Sequence, residues 1–188
     1  GSALESVDVD WDGDGVADEV YSEYVSETDS EGNVVYEEYD YDLDGIVDEA
    51  YEYDSEGNII GEWYYDEDGS VYSVSYDADG NTLSESYDLY GDGFVEEMNS
   101  YEYNSDGELI SEEYSYDYDY DGIIDESATV TYTYAENGTL IQEYYETDSD
   151  GDGVIDEFVT WVNDEDGNWV SDYMEYDTDG DGQIDKTE

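Results

Sequence analysis

Asp40-Tyr-Asp-Leu-Asp-Gly-Ile-Val-Asp-Glu49 is followed by a short strand-like stretch, Ala50-Tyr-Glu-Tyr53, and then by Asp54-Ser-Glu-Gly-Asn58. This run decides the fold, because it contains two kinds of turn with one strand between them, and the chain keeps returning to both. The longer turn recurs as a cassette at Asp10 to Glu19, Asp88 to Glu97, Asp117 to Glu126, Asp148 to Glu157 and Asp177 to Lys186. Its sixth position is glycine in every copy: Gly15, Gly45, Gly93, Gly122, Gly153 and Gly182. Carboxylates at positions 1, 3 and 5 converge on one point only if the chain turns sharply at position 6, which is the spacing of an oxygen-ligand loop for calcium.

The shorter turn falls between the cassettes. It reads Asp29-Ser-Glu-Gly32-Asn, Asp54 to Asn58, Asp66-Glu-Asp-Gly69, Asp77-Ala-Asp-Gly80-Asn, Asn104-Ser-Asp-Gly107, Ala135-Glu-Asn-Gly138 and Asp164-Glu-Asp-Gly167-Asn. Asp or Asn leading to Gly between alternating segments is a hairpin signal, with Gly in the left-handed conformation. Counting both kinds, thirteen turns follow one another at steps of 11 to 17 residues. The segments between them are rich in Tyr, Val, Ile, Thr and Trp and show little helical periodicity. They predict an all-β repeat architecture: an antiparallel meander of about fourteen short strands, forming one domain over residues 1–188.

Successive turns of a meander fall on opposite edges. The six cassettes occupy only odd-numbered turns, so all are expected along one edge of the sheet. The 48 residues between Gly45 and Gly93 divide into two steps of 24 about Gly69. That turn, with only Asp66 and Asp68, reads as a degraded cassette. With strands about 4.8 Å apart, neighbouring cassettes would lie about 10 Å apart in a row. A β-propeller or a closed barrel is the alternative, although a cassette at every second turn fits four-stranded blades poorly.

Composition narrows the function. The 188 residues include 60 acids against the single base Lys186, a formal charge of −59, and six divalent cations would still leave about −47. Nucleic acid and anionic membranes are repelled, since no basic patch exists to meet phosphate. Such a charge at low hydrophobicity would ordinarily mean disorder. The 25 tyrosines and the regular alternation argue instead for folding coupled to cation binding. Without Cys or His, disulfides, thiolate sites and most transition-metal chemistry are excluded. No membrane span and no signal peptide is visible, so a secreted protein would be in its mature form. Weak multi-carboxylate calcium loops point to an extracellular or cell-surface location.

Some strands are one-sided. Tyr72, Val74 and Tyr76 oppose Ser73 and Ser75, and Val130, Tyr132 and Tyr134 oppose Thr129, Thr131 and Thr133. Others, such as Val34, Val35, Tyr36 and Tyr39, carry bulk on both faces. The pattern leans towards a sheet that curls or stacks to cover its apolar face. The tyrosines are expected to pack across strands, with a sugar-stacking platform that includes Trp63, Trp161 and Trp169 as the alternative. The acids on the strands are expected to form a solvated face.

The expected ligands are the side chains at positions 1, 3, 5 and 9 with the backbone carbonyl at position 7, for about six calcium ions. They are Asp10, Asp12, Asp14, Val16 and Asp18 in the first cassette, and Asp40, Asp42, Asp44, Ile46 and Asp48 in the second. The third offers Asp88, Asp92, Phe94 and Glu96; Tyr90 stands at position 3, so this site is expected to be the weakest. Asp117, Asp119, Asp121, Ile123 and Asp125 follow in the fourth, and Asp148, Asp150, Asp152, Val154 and Asp156 in the fifth. The sixth has Asp177, Asp179, Asp181, Gln183 and Asp185, with Lys186 in place of the last Glu. The Glu after position 9 is expected to assist, and the apolar position 8 (Ala17, Val47, Val95, Ile124, Ile155, Ile184) to anchor inward.

On these cassettes the chain resembles the thrombospondin type 3 and related bacterial Asp-rich calcium repeats, and the calcium loops of integrin-type propeller blades. Its Tyr-Asp-x-x-Gly-Asn turns resemble, more loosely, the tyrosine-aspartate repeats of bacterial surface proteins. The resemblance implies an extracellular, calcium-stabilised structural or adhesive protein. The EF-hand differs, because its position-12 Glu is here Tyr21, Tyr51, Asn99, Ala128, Val159 and Glu188, and no helix follows.

The leading expectation is a structural repeat protein that self-assembles into a surface layer or filament. Its partners would be other copies of itself, joined head to tail through the strands at either end. The alternative is a calcium-dependent adhesin or carbohydrate-binding module. No enzyme is expected: His, Arg and Cys are absent, which removes triads, thiol nucleophiles and arginine clamps. A carboxylate pair at glycosidase spacing arises by chance among 60 acids and carries no weight. No nucleic acid and no membrane insertion is expected.

Overall fold

The computed structural model describes the backbone of residues 2–9 and 19–188, and side chains from Tyr24 onward. The first cassette, with Asp10, Asp12, Asp14, Val16 and Asp18, lies outside the described residues. The chain divides into two compact units, Gly1–Gly93 and Phe94–Glu188. The first contains β1 (Ser2–Val9), β2 (Glu19–Thr28), β3 (Val34–Asp40), β4 (Glu49–Tyr53), β5 (Ile59–Tyr65), β6 (Val71–Tyr76) and β7 (Thr82–Asp88). The second contains β8 (Glu97–Tyr103), β9 (Leu109–Tyr116), β10 (Glu126–Tyr134), β11 (Leu140–Asp148), β12 (Glu157–Asn163), β13 (Trp169–Tyr176) and β14 (Lys186–Thr187).

Within each unit every strand pairs antiparallel with its sequence neighbours. No strand touches any other strand of its unit. The meander read from the turns is therefore present in both. The closed barrel and the propeller are not, because neither β1 and β7 nor β8 and β14 meet, and no four-stranded blades separate. The expected folding into two layers is also absent within each unit, since strands contact only their sequence neighbours.

A single layer with bulk on both faces has little interior to fill. Among the described residues only Ala50, Val74, Val130 and Val159 are buried hydrophobics, each shaded by larger cross-strand neighbours. Val130 sits opposite Glu112 and Tyr145, and Ala50 opposite Trp63 and Glu38. Gly61 makes room for an indole: a Cβ there would come within 2.7 Å of the Trp63 ring.

Tyrosines supply the packing that a core would otherwise give. Tyr24 stacks on its register partner Tyr39 at 5.5 Å, Tyr64 on Tyr72 at 6.1 Å, and Tyr145 meets Trp161 edge-on at 4.6 Å. Cross-strand aromatic pairs of this kind contribute roughly 0.2–1 kcal/mol each. The strand acids do more than face solvent, because they accept the tyrosine hydroxyls. Glu37 takes those of Tyr39 and Tyr53, Glu62 those of Tyr64 and Tyr76, and Glu49 those of Tyr41 and Tyr51.

Burial first, and then a neighbouring glutamate, push the phenols of Tyr39 (Glu37), Tyr41 (Glu49) and Tyr72 (Glu85) up to about 12, and raise Tyr36, Tyr51, Tyr53 and Tyr132 as well. Unfolded tyrosine ionises near 10, so the folded sheet holds these protons more tightly. Their contribution to stability is intact below about pH 10 and is lost as pH rises towards 12. An alkaline titration should show strand signal lost in one steep step together with the rise in phenolate absorbance. Smooth ionisation near 10 with the sheet intact would refute this.

The short turns share one hydrogen-bond pattern. At Asp54, the N–H donates to the carbonyl of Asn58 at 2.9 Å while Gly57 N–H donates to the carbonyl of Asp54 at 3.1 Å. This is a three-residue hairpin loop with glycine (φ 85°) at the bulge. The leading Asp accepts from two backbone N–H groups and from the closing Asn side chain, as at Asp54 with Asn58 and Asp77 with Asn81. Those bonds hold Asp29, Asp54, Asp77 and Asp164 below the usual carboxylate range. In the first short turn of the second unit the polarity reverses, with Asn104 donating its amide to Glu108 at 2.8 Å. The Gly69 turn has the same backbone bonds, Asp66 N–H to Ser70 carbonyl and Gly69 N–H to Asp66 carbonyl. It is thus a short turn and not a degraded cassette.

Candidate metal sites

In each described cassette the position-1 Asp organises the loop from its centre. Asp40 Oδ1 accepts from Leu43 N–H at 2.7 Å and Oδ2 from Gly45 N–H at 2.9 Å. The same two bonds recur from Tyr120 and Gly122 to Asp117, from Gly151 and Gly153 to Asp148, and from Gly180 and Gly182 to Asp177. Position 9 closes the loop twice. Its N–H donates to the carbonyl before position 1, as from Asp125 to Tyr116 at 2.8 Å, and its carboxylate accepts the position-2 N–H, as from Tyr118 at 2.7 Å.

These bonds gather the carboxylates of positions 1, 3 and 9. One oxygen each from Asp40, Asp42 and Asp48 lie within 4.8 Å of one another, as do those of Asp117, Asp119 and Asp125, of Asp148, Asp150 and Asp156, and of Asp177, Asp179 and Asp185. Position 5 is outside this trio: Asp44, Asp121, Asp152 and Asp181 accept the N–H of position 7, at Ile46, Ile123, Val154 and Gln183. In the third cassette Asp88 accepts from Gly93 N–H at 2.8 Å and from Asp92 N–H at 3.2 Å. The division between the units falls after Gly93, so Phe94 and Glu96 belong to the second unit.

Burial is inverted relative to ordinary loops. Asp117, Asp148 and Asp177 at position 1 are 3–5 % exposed, whereas Ile46 and Ile123 at position 7 are above 60 %. Position 8 is mixed: Val95, Ile124 and Ile184 are exposed, whereas Val47 and Ile155 are half-buried. The loops wrap their own acids, which leaves Ile46, Phe94 and Ile123 outside. The Glu after position 9 is also engaged elsewhere, accepting the position-2 phenol from Tyr41 at Glu49 and from Tyr118 at Glu126. In the sixth cassette Lys186 lies 5.0 Å over the Tyr176 ring and pairs with Glu188.

The electrostatics suit a cation. Repulsion from Asp121, then burial and Asp125, raises the carboxyl of Asp119; Asp181, then Asp185, does the same at Asp179. Both acids oppose folding at neutral pH, and a bound cation would remove that repulsion. Asp177 behaves oppositely: burial pushes its carboxyl up, but the N–H groups of Gly182, Asp179, Asp181 and Gly180 together outweigh it and bring it below the usual range.

Position 4 was not legible as a special site, yet it is left-handed in every described copy. Leu43 (φ 64°) and Tyr120 (φ 63°) are the two non-glycine residues with positive φ among the described residues; Gly91, Gly151 and Gly180 occupy the same position. The signal was present in the glycines of the other copies. Left-handed backbone costs a β-carbon residue roughly 1 kcal/mol or more. Leu43→Gly should therefore stabilise the protein by about 0.5–1 kcal/mol in denaturant unfolding, and an unchanged midpoint would count against strain at this position.

The cassettes also touch along the edge. Asp177 N–H donates to the carbonyl of Asp156, and Asp117 N–H to that of Glu96, each at 2.8 Å. A Cβ at Gly151 would lie 2.2 Å from the carbonyl oxygen of Ile124, and one at Gly91 2.0 Å from that of Gly69.

No protein-family model matches the chain, and no curated protein matches it. Over 99 % of its length it is similar to 10 % of a chain in the Tc holotoxin pore of Photorhabdus luminescens, at 17 % identity and a TM-score of 0.34. A Bacteroides fragilis protein of unknown function matches all of this chain with 92 % of its own, at 9 % identity and a TM-score of 0.17. The chain thus spans about a tenth of the toxin chain's length. At these scores neither likeness bears on function.

Proposed function

We propose that this chain is an extracellular, calcium-stabilised structural repeat protein of the Asp-rich calcium-repeat kind, which associates with copies of itself. The observation that carries the reading is the recurrence of the position 1, 3 and 9 carboxylate trio in four cassettes, each within 4.8 Å. Carboxylate and carbonyl oxygens suit a hard cation, and a cage of several carboxylates suits calcium better than magnesium. Calcium acts here as a staple along a sheet edge, because the loops are built into strand connections. Titration calorimetry in high salt should show calcium binding at several sites per chain, with magnesium weaker; no calcium heat would end this reading. Light scattering in excess calcium tests association separately, and a strict monomer would remove that part alone.

A further inference from the structure

Two cassettes carry a device that metal binding does not use. Tyr39 and Tyr41, flanking Asp40, stack at 5.7 Å, and Tyr116 and Tyr118, flanking Asp117, stack at 5.6 Å with planes 1° apart. The second ring of each pair donates its hydroxyl to the glutamate that ends the cassette, Tyr41 to Glu49 at 2.8 Å and Tyr118 to Glu126 at 3.1 Å. Both outer rings are about half exposed, at 47 % and 57 %. In the first unit the stack continues inward to Tyr24, 5.5 Å from Tyr39.

These features are what one-electron oxidation of a phenol requires. An oxidised phenol is a strong acid, so a carboxylate already hydrogen-bonded to its oxygen takes the proton as the electron leaves. A stacked neighbour spreads the radical, and surrounding negative charge favours loss of an electron. Solvent exposure lets the oxidant and a second radical reach the ring. We propose that Tyr41 and Tyr118 are oxidative cross-linking sites, at which a peroxidase-type oxidant joins two copies of this chain through dityrosine. The partner is a second copy because the proposal rests on the self-associating reading above, and because each exposed ring lies in a cassette loop at the rim of its own unit.

The step balances. Each of two phenols gives up one electron to the oxidant and its hydroxyl proton to Glu49 or Glu126. The two radicals form a carbon–carbon bond at ring positions ortho to oxygen, and the ring protons at those carbons return to the oxygens as the rings become aromatic again. The two electrons and two protons reduce one hydrogen peroxide to two waters.

The test treats the full chain with a haem peroxidase and hydrogen peroxide in calcium buffer, after light scattering on the same sample. Covalent dimers are read on denaturing gels, dityrosine by its fluorescence, and the linked residues by peptide mapping. The expected result is a dimer linked through Tyr41 and Tyr118 that is mostly lost in the Tyr41→Phe, Tyr118→Phe double variant. Coupling governed by abundance alone would lose only about 15 %, since each link takes two rings and 23 of the 25 tyrosines remain. Glu49→Gln with Glu126→Gln keeps both rings but removes the proton acceptors, and should slow coupling about tenfold. Links spread over the other tyrosines, dityrosine confined to single chains, or no coupling at all would each overturn the proposal. A chain that is monomeric before oxidation yet couples through these two residues would leave it standing while the association reading fails.

Discussion

Gly151→Ala is expected to destabilise the protein by about 3–4 kcal/mol and to lower the melting temperature by roughly 10 °C. Two costs combine at this residue. Its φ of 70° is unfavourable for any residue with a β-carbon, which accounts for roughly 1 kcal/mol. The added methyl would also lie 2.2 Å from the Ile124 carbonyl oxygen and 3.1 Å from the Asp125 carbonyl carbon, both rigid backbone of the preceding cassette. Gly153, two residues on in the same loop, has φ 87° and nothing within 4 Å of its Cβ position. Gly153→Ala should therefore show only the first cost, about 1 kcal/mol. Denaturant unfolding of the two variants side by side isolates the contact between loops. Equal losses would mean that the cassettes do not pack on one another as described.

Calcium should produce the other large effect. A ligand that binds only the folded state stabilises it by RT ln(1 + [L]/Kd), about 1.4 kcal/mol per site at tenfold excess over Kd. Extracellular calcium modules have Kd values of about 10⁻⁴–10⁻³ M, so about 10 mM calcium reaches that excess. The four trios among the described residues would then add about 5–6 kcal/mol, and the melting temperature should rise by roughly 15 °C. Relief of the repulsion at Asp119 and Asp179 belongs to the same gain and should not be counted again. The control is sodium chloride at matched ionic strength, which screens charge without entering the loops. If sodium raises the melting temperature as far as calcium does, general screening explains the stability and the loops are acidic turns only.

Strand order and the alternation of turn types could be read from glycine spacing, because only glycine enters the left-handed turn positions cheaply. The position 1, 3 and 9 acids could be read for the same reason: the turn at position 6 fixes where they point. What escaped the sequence depended on neighbours that no local pattern specifies. The Gly69 turn has two aspartates at the right spacing, but its bonds to Ser70 close a loop too short for a cassette. Position 8 looked like an anchor by hydrophobicity, yet a single-layer sheet offers no interior to receive Ile124 or Ile184. The strand glutamates looked solvated because charge alone was weighed, yet several accept the hydroxyl of a tyrosine two residues away on the same strand, such as Tyr39 for Glu37 and Tyr64 for Glu62, and Glu37 also takes that of Tyr53 on the next strand.

The backbone bonds from Asp177 to Asp156 and from Asp117 to Glu96 carry a consequence for how such a chain can change in length. Loss or gain of one strand between two such cassettes would put them on opposite edges and break the link between them. Loss or gain of two strands preserves both. The smallest heritable step is therefore a hairpin, and the sheet grows like a ruler whose divisions are about 10 Å apart.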